Sequence, residues 1–241
     1  MKRLKRAVLI RIYKKVKKQN QKKAFTLAET VISLAILGMI AALTIPVFFT
    51  NTASYNNQYV VGLKKVYSEL NYATQQVMAN NSGTLAGAYN ASAWQTVNLT
   101  LTGKLCQYLK CSKICDYVSA DTQGCFNYRA NIKFLDNQAY SQEPDYSQYR
   151  GAILADGALI NVATGSPGFY GGSLGYIWVD VNGLKGPNIV GRDIFIFNLE
   201  SWGLSLPTGT SDTGYCNPNV IHSSNGDSCS AKVLQDGKMM Y

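Results

Sequence analysis

Histidine is almost absent from this chain of 241 residues: His222 is the only one. That excludes paired-histidine zinc hooks and leaves little material for a histidine-based catalytic site. Phosphate-binding loops and dinucleotide fingerprints are missing as well. Gly171-Gly172-Ser173-Leu174-Gly175 matches G-x-S-x-G in letters, and Ser173, Asp193 and His222 follow hydrolase order. A nucleophile elbow must join a strand to a helix, whereas here a Gly-rich stretch precedes a strand-like run. No enzymatic activity is expected. Internal repeats and long low-complexity linkers are also lacking.

Acidic residues are absent from residues 1–24, which hold 11 Lys or Arg. The whole chain has 23 basic and 14 acidic residues, so residues 25–241 hold 12 and 14, a net charge of −2. The overall charge of +9 therefore belongs to the N-terminus. A nucleic-acid footprint would need a basic patch on the remaining domain. Lys64-Lys65 is the only adjacent basic pair there, so nucleic acid is not an expected partner.

Charge is absent again from Val31 to Phe49, 19 residues that would cross a bilayer core as a helix. Between the basic leader and this run stands Ala24-Phe25-Thr26-Leu27-Ala28-Glu29. A carboxylate at the mouth of an apolar segment is costly and marks function by default. The basic flank would stay cytoplasmic, placing the C-terminal part outside. A secretory signal peptide fits poorly, because the apolar run is too long and Thr52-Ala53-Ser54 is a poor cleavage site. An uncleaved signal anchor would give the same topology without needing Glu29 or the Phe-Thr-Leu entry.

This junction resembles the N-terminus of type IV prepilins and type II secretion pseudopilins. Phe25-Thr26-Leu27-Ala28-Glu29 fits their pattern, Gly38 and Pro46 stand where many pilins have Gly and Pro, and Ala24 replaces the usual Gly before the cut. The resemblance implies cleavage between Ala24 and Phe25 by a prepilin peptidase, then methylation of the Phe25 nitrogen. It assigns Thr26 and Glu29 to assembly, with Glu29 neutralising the Phe25 ammonium of a neighbouring subunit. Implied partners are the peptidase, the membrane, the assembly platform, and copies of this or other pilin-like subunits. The implied location is the inner membrane, single-pass with a cytoplasmic N-terminus, and then a periplasmic or surface filament.

Beyond the apolar run, Pro46 should kink the helix. Val60, Leu63, Val66, Tyr67, Leu70 and Val77 recur at three- and four-residue spacing, an amphipathic pattern, and Asn80-Asn81-Ser82-Gly83 ends it. Trp94–Tyr108 suggests a short helix. Strand-like runs are Gly151–Leu154, Ala158–Val162, Tyr176–Val181, Asp193–Asn198 and Lys232–Gln235, with Asp156-Gly157 and Asp236-Gly237 as turn dipeptides. The expected organisation is a leader at 1–24, a transmembrane and assembly helix at 25–49, an amphipathic helix at 50–81 and a β-rich head at 82–241. The fold class is α+β, a long N-terminal helix packed on an antiparallel sheet.

All six cysteines lie in the head: Cys106, Cys111, Cys115, Cys125, Cys216 and Cys229. An even number in an exported domain reads as a disulfide framework. Cys216 and Cys229 are the one late pair and are expected to bridge locally, in keeping with the near-terminal disulfide loops of pilins. The other four allow three connectivities.

Asp180, Asn182, Asn188 and Asp193 lie on a Gly- and Pro-rich segment between two strand-like runs. Hard oxygen donors on a tight loop suit calcium. The segment is similar to acidic loops of major pseudopilins, which makes these four residues candidate calcium ligands. The competing reading is a turn whose Asx side chains bond the local backbone.

The expected function is a pilin-like structural subunit of a type IV pilus or type II secretion pseudopilus. The alternatives are a minor tip pilin acting as an adhesin or ligand-binding module, and an uncleaved signal-anchored domain.

Overall fold

A computed structural model describes residues 26–49, 52–90, 96–115, 122–127, 131–140, 149–164, 173–207 and 216–241, with side chains of 41–49 and 52–54 not described. The chain divides into two compact units, Met1–Asn51 and Thr52–Tyr241.

The first unit contains helix α1, Leu27–Phe49. Pro46 falls within its bounds. Every described residue from Thr26 to Ile40 is exposed. The described side chains cover about half of the apolar run read from the sequence. Among the described residues no helix is long and apolar enough to cross a membrane.

The second unit is an α+β fold. Helix α2, Thr52–Ala79, leads into a 3-10 turn at Val97–Leu99 and a short helix α3, Leu101–Leu105. Six strands follow among the described residues: β1 Cys111–Ile114, β2 Tyr149–Leu154, β3 Leu159–Thr164, β4 Gly175–Asp180, β5 Ile194–Glu200 and β6 Gly203–Ser205. They form one sheet in sequential order, every neighbouring pair antiparallel. Helix α4, Cys229–Asp236, closes the chain.

Both faces of the sheet are covered, which is why β3 and β5 read as nearly continuous apolar runs. Alternate residues point to opposite faces. Ile160, Val162, Ile177, Val179, Phe195 and Phe197 face the α2 stripe of Val60, Leu63, Val66, Leu70, Ala73 and Val77. Tyr67 stacks on Phe197 at 5.5 Å between ring centroids. Leu159, Ala163, Trp178, Ile194 and Ile196 form a second cluster with Phe126, Phe134 and Tyr140. Tyr140 meets Trp178 edge to face at 5.3 Å. The helix lies close to the chain after β4 at Gly62, where a Cβ would lie 3.1 Å from the Val181 Cβ.

Three sequence expectations change. Lys232–Gln235 is not a strand but part of α4, and Asp236-Gly237 is its end, not a hairpin turn. Gly237 adopts the left-handed conformation (φ 71°) and its N–H returns to the Val233 carbonyl, a helix-ending geometry that suits glycine. Strands β1 and β6 are additions to the strands expected from the sequence; at four and three residues they show little alternation. The helix expected over Trp94–Tyr108 is confined to the 3-10 turn and α3 among the described residues.

Candidate functional site

Ala24 and Phe25 lie outside the described residues. Thr26 and Glu29 are described, and they are bonded to each other. The Thr26 N–H and hydroxyl both donate to Glu29 Oε2, at 2.8 and 2.9 Å, and the Glu29 N–H donates to Thr26 Oγ1 at 3.3 Å. This is a reciprocal capping box, which satisfies donors at the start of α1 and fixes where the helix begins. A carboxylate at the helix N-terminus is also favoured by the helix dipole. The sequence carries the signal, Thr-x-x-Glu ahead of an apolar run, although the family resemblance directs attention to the charge of Glu29 instead. Behind the cap, Leu27, Val31, Ile32, Leu34, Ile36, Leu37, Met39 and Ile40 are all exposed large apolar side chains. A helix apolar around its whole circumference needs lipid or other helices to cover it.

In the second unit, the four oxygen-bearing residues flank a connection from β4 to β5. Asp180 ends β4, and Asp193 immediately precedes β5. Both are fully buried. The Asn182 N–H donates to Asp180 Oδ1 at 3.1 Å, and Asn127 Nδ2 donates to Asp180 Oδ2. The N–H groups of Ile189 and Asn188 donate to Asp193 Oδ1 and Oδ2, at 2.7 and 2.8 Å. Burial, with the Asp193 charge as a further cause, pushes the Asp180 carboxyl up to about 9. Burial raises Asp193 too, against the pull of the Ile189 and Asn188 amides. The side-chain carbonyls of Asn182 and Asn188 are buried without a hydrogen-bond partner. Asn182 Nδ2 donates to the Gly186 carbonyl at 3.1 Å, tying the loop across its turn. Asn188 adopts a left-handed backbone (φ 57°), a conformation that Asn tolerates.

The two readings of this segment are thus both visible in part. The carboxylates cap local amides, as an Asx turn would. The mutually repelling buried acids and two orphaned carbonyl oxygens are what a hard cation would relieve. Among the described residues no cluster of three or more His, Cys, Asp or Glu is found, so such a site would need amide and backbone carbonyls or water besides its two carboxylates.

The cysteines pair as Cys106–Cys111, Cys115–Cys125 and Cys216–Cys229. Of the three connectivities open to the first four, the structure takes the one joining nearest neighbours. The last bridge backs directly onto the β4–β5 segment. Gly191 has φ 88°, and a Cβ there would lie 2.7 Å from Cys229 Sγ. Tyr241 donates its hydroxyl to the Gly191 carbonyl from the opposite end of α4. Within the bridged loop, burial raises the Asp227 carboxyl to about 7.

Two residues of the formal hydrolase order, Asp193 and His222, sit in local backbone bonds. Asp193 holds the two amides above, and His222 Nδ1 accepts from the Ser224 N–H at 3.1 Å. Ser173 is buried.

Residues 19–45 match the family described as the prokaryotic N-terminal methylation motif. The chain carries that motif. It spans the end of the basic leader, the Ala24–Glu29 junction and most of the apolar run, and is consistent with a type IV pilin-like protein processed as a prepilin. The match covers 27 residues and leaves the head outside it. No curated protein and no solved structure matches the chain.

Proposed function

We propose that the chain is a structural subunit of a filament of the type IV pilus or type II secretion pseudopilus kind. The observation that carries this is α1: a helix with uncovered apolar side chains on all sides, opened by a capped carboxylate within a methylation motif. In the precursor the apolar run would sit in the inner membrane with the leader in the cytoplasm and the head exported. Cleavage between Ala24 and Phe25 removes 11 positive charges that would oppose close packing of helices. It also creates an α-ammonium at Phe25, which methylation keeps basic. In an assembled filament, that cation and the Glu29 carboxylate leave water together. Neither can be buried alone at low cost, so each subunit is held at the register where a neighbour supplies the partner. Subunit addition by a cytoplasmic ATPase, not chemistry in this chain, would supply the work. N-terminal mass spectrometry of the membrane-extracted protein tests this. A chain beginning at methylated Phe25 is expected; an intact Met1 sinks the proposal in favour of a plain signal anchor.

A second reading, favoured by the orphaned Asn182 and Asn188 oxygens, is that Asp180, Asn182, Asn188 and Asp193 hold calcium. The ion would neutralise two buried carboxylates and fix the β4–β5 segment. A ligand present at a hundred times its dissociation constant stabilises by about 2.7 kcal/mol. For a domain of this size that corresponds to a melting rise of about 5–10 °C. Calcium added after chelation should raise the melting temperature by that amount, and Asp180→Ala should abolish the response. No shift in the unaltered protein would leave the segment as a plain Asx-stabilised turn.

A further inference from the structure

The two ends of α2 carry a cleft and an exposed aromatic knob. At its N-terminal end lies an open cleft of about 600 Å³ lined by Tyr55, Tyr59, Leu184 and Lys185, among others. Tyr55 and Tyr59 stack at 6.5 Å, and Leu184 is 56% exposed. The cleft wall is fixed to the helix: Gly62 packs on Val181, and Asn182 Nδ2 donates to the Tyr59 hydroxyl at 3.5 Å.

At the C-terminal end of the same helix stands the tip of the β5–β6 hairpin. Glu200 pairs with Gly203, leaving Ser201-Trp202 as a two-residue tip. Trp202 is 65% exposed. Its backbone support is rigid, because the Ser201 carbonyl accepts from the Leu85 N–H and the Thr84 hydroxyl, both at 2.8 Å. Gly203 lies against Met78, the penultimate residue of α2. From Tyr59 to Met78 the helix rises about 28 Å at 1.5 Å per residue. The knob and the cleft therefore cannot meet within one chain.

Charge complements shape. Lys185 and Asp156 line the cleft, the Asp156 carboxylate is already paired with Lys65 at 2.6 Å, and Glu200 stands two residues from Trp202. Neither Lys185 nor Glu200 has an ion-pair partner among the described residues. We propose that the cleft receives the Trp202 hairpin tip of a second copy of this chain, with Glu200 of one copy meeting Lys185 of the next. Such a contact is head-to-tail: the surfaces joined are different, so each copy offers one of each, and the repeat runs on as a helical filament unless the rotation between copies closes it into a ring. Rigid aromatic side chains entering a pocket are the usual energetic anchors of interfaces, and the flanking charges select the partner and orientation. The contact rests on the filament reading and gives it a specific address on the head. It also gives the β4–β5 segment a task, since Asn182 and Gly186 form part of the cleft wall.

The test uses the full-length chain in cells, comparing sheared filament with membrane-held subunit. Glu200→Lys and Lys185→Glu should each lower the filament fraction at least tenfold, the equivalent of about 1.4 kcal/mol. Combined in one chain, they should restore it, because the charges of knob and cleft are then exchanged and still attract. Trp202→Ala should lower it without rescue. Unchanged melting temperatures separate loss of contact from loss of folding, and the rescue cannot come from within one subunit. Filaments unaffected by the single changes, or a double variant no better than either single, overturn the contact while leaving the filament reading intact. Failure of the unaltered chain to form filaments removes both.

Discussion

Glu29→Gln should leave α1 capped and the head folded, yet cut assembled subunits by about two to four orders of magnitude. The separation is possible because Glu29 has two duties that depend on different properties. As a cap it needs only an acceptor at the third helical position, which Gln supplies in capping boxes. The Thr26 contacts at 2.8 and 2.9 Å can therefore survive the change. As the assembly partner of a buried ammonium it needs charge. Removing one member of a buried ion pair costs about 3–5 kcal/mol, and each 1.4 kcal/mol is tenfold in an equilibrium. Thr26→Val provides the inverse control, since it keeps the charge and removes the hydroxyl. Losing such a cap costs about 1 kcal/mol, so assembly should fall severalfold at most. The measurement is the ratio of sedimentable filament to membrane subunit, with far-ultraviolet circular dichroism confirming the head. Equal assembly of Glu29→Gln and the parent would remove the pairing role and leave Glu29 as a cap alone.

The two halves of the chain differ in how openly the sequence displays them. The Ala24–Glu29 junction is legible because processing demands particular residue types in consecutive positions. Helix α2 is legible because only one face is buried, so Val60, Leu63, Val66, Leu70 and Val77 stand out against polar neighbours. Strands β2 to β5 are legible as apolar runs, since both faces of the sheet are covered. Helix α4 is not: its buried set of Cys229, Ser230, Ala231 and Val233 is small, and Lys232–Gln235 is too short for a helical period to appear. The second cluster is illegible for another reason. Phe126, Phe134 and Tyr140 come from irregular segments and reach Trp178 through tertiary packing that no local period encodes. At the β4–β5 segment, residue types alone point to hard oxygen donors. Which atoms stay unpaired, Asn182 and Asn188 Oδ1, is decided by burial and emerges only in three dimensions.

The largest stability effect is expected from Cys216→Ser with Cys229→Ser. A bridge closing a 13-residue separation restricts the unfolded chain by about 3 kcal/mol in the loop-entropy picture. At about 2–4 °C per kcal/mol for a domain of this size, the melting temperature should fall by about 6–12 °C. Loop entropy is not the whole effect. Cys229 Sγ fills the space where a Gly191 Cβ would stand, two residues before the buried Asp193. Losing the bridge should therefore loosen the β4–β5 segment as well as the C-terminal loop. The loop keeps other ties that limit the damage. Asn225 Nδ2 donates to the Asn217 carbonyl at 2.7 Å, the Leu135 N–H donates to the Asn225 carbonyl at 3.0 Å, and the His222 N–H donates to Asp136 Oδ2 at 3.2 Å. The double variant should fold, but with faster amide exchange at Asn188 and Ile189, whose N–H groups bind Asp193. Cys106→Ser with Cys111→Ser is the comparison, because that bridge spans a sequence separation of only five. If exchange at Asn188 and Ile189 rises equally in both variants, the effect is global destabilisation. If it rises only when Cys216 and Cys229 are lost, the late disulfide is the support against which the β4–β5 segment, and the cleft it walls, keeps its shape.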